Sequence, residues 1–72
     1  MYNFINDKYV IDFEVPVGLQ DFIDEAEKAD KENDLGTYAV YADAIDVAAK
    51  NCYGAGLITK KMWDTLIRRY AL

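Results

Sequence analysis

Asp21, Asp24 and Glu25 recur at helical spacing and come near one another on one side of a turn, the material from which a general acid/base pair is built. Such a pair works only when one carboxyl sits in a low-dielectric pocket that separates the two pKa values. A chain of 72 residues has little core in which to form one. A solvated acidic face is the simpler reading. Cys52 is the single thiol, and a chain with no histidine and no serine offers it no imidazole to take its proton. The same absences remove Ser-His catalysis and ordinary zinc ligation. Cys52 falls on an apolar helical stripe and reads as a small packing residue.

Two further motifs have plain explanations. Asp30-Lys31-Glu32-Asn33-Asp34-Leu35-Gly36 looks like the opening of a calcium loop, but its glycine is one place late and Tyr41 stands where the bidentate carboxylate belongs. Gly54-Ala55-Gly56 has no following Lys-Ser/Thr and no preceding strand, so it is a turn rather than a phosphate loop. The composition therefore points away from an enzyme: no catalytic residue, metal site, cofactor or small-molecule substrate is expected.

What remains is charge. Residues 1–49 hold 12 acidic and 3 basic side chains, a formal −9, whereas residues 50–72 hold 5 basic and 1 acidic, a formal +4. That separation says what the two parts attract and nothing about a reaction. The net charge of −5 disfavours generic binding to membranes or nucleic acid, and no stretch approaches the ~18 apolar residues of a membrane span. An apolar share of 53% with 10 aromatic residues is too hydrophobic for a disordered acidic tail. One small folded domain is expected. A lone thiol and an N-terminus without a basic region and apolar run suit a cytoplasmic protein.

The periodicities predict the elements that carry these charges. Tyr9, Ile11, Phe13 and Val15 alternate with Val10, Asp12 and Glu14, a period of two that predicts a half-buried strand. With Tyr2, Phe4 and Ile5 upstream of a turn at Asn6-Asp7-Lys8, a short β-hairpin over about 2–15 is expected. Leu19, Phe22, Ile23, Ala26 and Ala29 predict a helix over about 18–33. Tyr38, Tyr41, Ile45, Ala48 and Cys52 predict a second over about 37–53, with Thr37 as N-cap and Gly54 in the left-handed position after it. A second apolar line, Val40, Ala44 and Val47, leaves this helix apolar over most of its circumference, so it is expected at the centre. Thr59 reads as the N-cap of a last helix over about 59–70, with Ile58 and Trp63 as a hydrophobic staple. The expected fold is α+β and predominantly helical. A strand or hairpin packs on a three-helix bundle whose last two helices form an αα-hairpin, with Phe22, Tyr38, Tyr41, Ile45, Trp63, Leu66 and Ile67 in the core.

Two candidate surfaces follow. The acidic one is Asp21, Asp24, Glu25, Glu27, Asp30, Glu32 and Asp34, seven carboxylates in fourteen residues. The basic one is Lys60, Lys61, Arg68 and Arg69 on the last helix. Arg68 and Arg69 suit a helix C-terminus, but Lys60 and Lys61 stand at the end the helix dipole disfavours. The favoured function is a non-catalytic interaction module that binds a protein partner or itself, the nearly all-round apolar middle helix suggesting a homodimer. Two alternatives use the same charges. The basic helix could bind nucleic acid in helix-turn-helix fashion, although four cations make a weak footprint. The acidic helix could imitate a DNA backbone and inhibit a DNA-binding protein.

The run Gly56-Leu57-Ile58-Thr59, Met62-Trp63, Leu66 and Arg69-Tyr70 resembles the closing helix of short bacterial and mobile-element proteins. The resemblance covers under a quarter of the chain and implies a prokaryotic or phage accessory protein. It carries no site residues.

Overall fold

Leu19, Ile23, Ala26 and Ala29, then Tyr38, Ala42, Ile45 and Ala49, and finally Leu66 recur at three- and four-residue spacing, and all are buried. The computed structural model describes residues 2–71, and these stripes belong to α1 (Val17–Lys31), α2 (Leu35–Gly54) and α3 (Lys60–Arg69). Helix α2 packs against both others, whereas α1 and α3 do not pack on each other directly. The N-terminal arm, residues 2–16, bridges them.

The expected strand or hairpin does not form. Among the described residues there is no strand, so the domain is all-helical and the α+β assignment is corrected. The alternation that suggested a strand is nevertheless present, because Tyr9, Ile11, Phe13 and Val15 are half-buried while Val10, Asp12 and Glu14 are exposed. A period of two reports an extended backbone with one side against something apolar; a strand also needs a second backbone to take its hydrogen bonds. Among the described residues no second extended backbone pairs with it. The N–H groups of Asn3, Phe4 and Ile5 go to a side-chain carboxylate, and Asn6 N–H goes to the carbonyl of Arg69 at 2.9 Å. The turn expected at Asn6-Asp7-Lys8 does close, with Tyr9 N–H on the Asn6 carbonyl and Lys8 N–H on Asn6 Oδ1, both at 3.2 Å. With its arm laid down in this way the chain has a radius of gyration of 11.3 Å. About 11 Å is expected of a folded domain of this length.

The helix ends differ from expectation in instructive ways. Helix α1 stops where Asn33 takes a left-handed φ of 55°, with Asp34 N–H reaching back to the Ala29 carbonyl and Asn33 N–H to that of Asp30. Asp34 then caps α2 itself, accepting from Thr37 N–H at 3.2 Å and from Thr37 Oγ1 at 2.7 Å. Thr37 is thus the donor to the cap rather than the cap. At the far end α2 runs through Gly54, and the left-handed residue is Gly56 at φ 77°. Leu57 N–H to the Cys52 carbonyl and Gly56 N–H to that of Tyr53 complete the Schellman pattern two residues later than Gly54 would have placed it. Thr59 does cap α3, accepting from Met62 N–H at 3.1 Å.

The core also departs from expectation at its margins. Tyr38, Ile45 and Leu66 are fully enclosed, Tyr41, Trp63 and Ile67 are half-buried, and Phe22 is 37% exposed, stacked obliquely over Tyr41 at 6.4 Å. Phe22 lies at the edge of the stripe centred on Leu19, Ile23 and Ala26, so it faces the margin of α2. The second apolar line of α2 is not covered either: Val40 is 65% and Val47 55% exposed. Two helices and an arm enclose part of the circumference of α2, and none of them reaches the side on which Val40 and Val47 lie.

Candidate functional site

Asp30 and Arg69, one from each candidate surface, are both interior, with exposures of 2% and 8%. They fasten the arm to the bundle. Asp30 stands eleven residues after Leu19 on the buried stripe of α1, and its carboxylate accepts from the N–H groups of Asn3, Phe4 and Ile5, those of Asn3 and Ile5 at 3.0 Å. Its own carbonyl takes the Asn3 side-chain amide as well as Asn33 N–H. A buried carboxylate is costly unless its lone pairs are filled, and here three backbone donors converge on it. Ile5 is thereby set into the core and the Phe4 ring against that of Tyr38, centroids 5.1 Å apart.

Arg69 occupies the matching position on α3, three residues beyond Leu66. Its guanidinium donates to the Tyr9 carbonyl at 2.8 Å, to the hydroxyls of Tyr2 and Tyr70 at 3.3 Å each, and to Glu27 of α1 at 3.4 Å. The Tyr2 and Tyr70 rings lie beside it at 5.3 and 5.6 Å, close enough for cation–π attraction. Tyr70 in turn donates to Glu27 at 2.7 Å. Burial opposes the charge on Arg69, but the hydroxyls of Tyr70 and Tyr2 and the carboxylate of Glu27 more than offset it and hold the guanidinium above its ordinary pKa. Burial and the bond to Glu27 push the Tyr70 phenol well up. Tyr38 is pushed up to about 12, first by burial and then by the nearby charge of Asp30. The bonds of this network run between the arm, α1 and α3, so it acts as a fastening. Only Tyr38 Oη and Trp63 Nε1 are buried without a partner among the described residues.

The other candidate residues lie outside. Asp21, Asp24, Glu25, Glu32 and Asp34 are exposed and Glu27 is half-buried; Lys60, Lys61 and Arg68 are exposed. Among the described residues the two surfaces meet at a single ion pair, Glu27–Arg69, and Arg68 pairs within α3 with Asp64 at 3.0 Å. Asp24 is engaged by the neutral amide of Gln20 at 2.9 Å, and Asp34 by Thr37. Asp30 and Arg69 therefore leave the candidate surfaces, because groups enclosed at 2% and 8% exposure and bonded to the arm are not presented to a partner. Their role was encoded in register. Asp30 continues the line Leu19, Ile23, Ala26, and Arg69 the line Met62, Leu66, so each is a charge standing where an apolar residue is due. Cys52 is half-buried against the core. Among the described residues no helix is long and apolar enough to cross a membrane.

No protein-family model, curated protein or solved structure matches this chain.

Proposed function

We propose that this chain is a non-catalytic interaction module whose outer α1 face, Asp21, Asp24, Glu25 and Glu32, docks a cationic surface on a protein partner. One observation carries the reading: these four carboxylates are exposed, and none is ion-paired within the molecule among the described residues. Their charge is left for something else to meet. The runner-up, nucleic-acid binding by α3, loses support because Arg69 is committed to the arm, leaving Lys60, Lys61 and Arg68 on a chain of net charge −5. A cytoplasmic accessory protein is part of the proposal, supported by the lone thiol and by the resemblance of the closing helix.

The test is capture of partners from a cell lysate at low and high salt, with wild type beside a variant carrying Asp21→Asn, Asp24→Asn, Glu25→Gln and Glu32→Gln. All four substitutions are exposed and should leave the thermal midpoint in place. Capture of a basic protein that fades with salt and is lost in the variant is the expected result. Equal capture by both proteins would refute the reading.

A further inference from the structure

Between α2 and α3 lies an open groove of about 370 Å³, with Ala42, Leu66 and Tyr70 beneath it, Ala39 and Ile67 along its sides, and Asp43 and Asp46 on its α2 rim. We infer that this groove is a second docking site and that its occupant is an amphipathic helix of a protein partner, apolar on the face it inserts and rich in Lys or Arg along the flank beside α2. The size is that of a site for a few side chains, within the ~300–1,000 Å³ typical of binding clefts. Ala39 and Ala42 have no bulk beyond Cβ, so a helix backbone can approach α2 closely and seat its side chains at three- and four-residue spacing.

The charges on the rim select the occupant. Asp43 and Asp46 are exposed and have no ion-pair partner among the described residues, so a cationic flank is what they complement. A second copy of this chain is disfavoured by the same two residues. A twofold contact apposes the same patch from both copies, and here it would set Asp43 and Asp46 against themselves. Nucleic acid is repelled for the same reason. This surface is separate from the outer face of α1, and the inference stands whether or not that face binds anything.

The probe is a synthetic helical peptide of about 14 residues with Leu at three- and four-residue spacing and Lys along one flank, titrated into the ¹⁵N-labelled full chain. A second peptide has Glu in place of each Lys. The expected result is amide shifts centred on Ala39, Asp43, Asp46 and Ile67 for the Lys peptide and none for the Glu peptide. Asp43→Lys with Asp46→Lys should weaken the Lys peptide by about tenfold or more, and Ala39→Trp should block it by filling the groove. The variant neutralised on α1 should still bind it at the groove. Equal binding of the two peptides, shifts that map to α1, or undiminished binding by the Asp43/Asp46 variant would overturn the inference. So would a free chain that sediments as a dimer and becomes monomeric on Asp43→Lys, since the groove would then hold a second copy. The charge variant is exposed at both positions, which keeps the test decisive should Ala39→Trp fail to fold.

Discussion

The N–H of Ile5 donates to the carboxylate of Asp30 at 3.0 Å across 25 residues of chain, and both residues are buried. That bond, with those from Asn3 and Phe4 to the same carboxylate, fixes one end of an arm that has no secondary structure of its own. Arg69 on α3 fixes the middle of the arm at Tyr9. The arm is held by two opposite charges on two helices that do not otherwise pack on each other.

Replacing Asp30 with Asn keeps the shape but removes the charge that strengthens three hydrogen bonds. The expected loss is about 1–3 kcal/mol in urea unfolding, with faster amide exchange at Asn3, Phe4 and Ile5. A stability within about 0.5 kcal/mol of wild type and unchanged exchange would mean that apolar packing alone holds the arm.

Arg69→Lys preserves the positive charge and loses the fork that reaches Tyr9, Tyr2, Tyr70 and Glu27 together. A destabilisation of about 1–3 kcal/mol is expected, with increased exposure of Tyr2. The figure allows for Glu27 being 37% exposed at its side chain, which screens the ion pair. If Lys serves as well as Arg, the anchor is charge and the fork geometry is incidental.

Tyr38 carries a buried hydroxyl with no partner among the described residues, so Tyr38→Phe should be neutral or stabilising by up to about 1 kcal/mol. It should also change the alkaline limb. The phenol ionises near its ordinary 10 when unfolded and is pushed up to about 12 when folded, so its contribution is complete below pH 10 and is lost as pH rises from there towards 12. Tyr70 shifts in the same direction and adds to the same loss. Unfolding midpoints between pH 8 and 11 should fall above about 10 in wild type and fall less in Tyr38→Phe.

The two glycines after α2 should respond with opposite signs. Gly56 has a φ of 77°, where an alanine is strained by about 1–2 kcal/mol. Gly54 is helical with nothing within 4 Å of an added Cβ, so Gly54→Ala should stabilise by up to about 1 kcal/mol. Thermal midpoints of the two variants decide it, and a destabilising Gly54→Ala would return the left-handed cap to that position.

The sequence by itself determined the three helices, the Thr59 cap, the turn at Asn6–Lys8 and the centre of the core at Tyr38, Ile45 and Leu66, because these depend on spacing within a few turns and on local capping chemistry. It also determined the charge split, which is a matter of composition. Tertiary structure decided the rest. Whether the alternating Tyr9–Val15 segment becomes a strand depends on a neighbouring backbone, and here Asp30 and Arg69 take the arm's hydrogen bonds instead. Whether a charge in an apolar register is buried or displaced depends on what arrives to bond it from 25 to 60 residues away in the chain. The same holds for α2, whose nearly all-round apolar surface was legible in the spacing, while its bare side was set by the number of elements available to cover it.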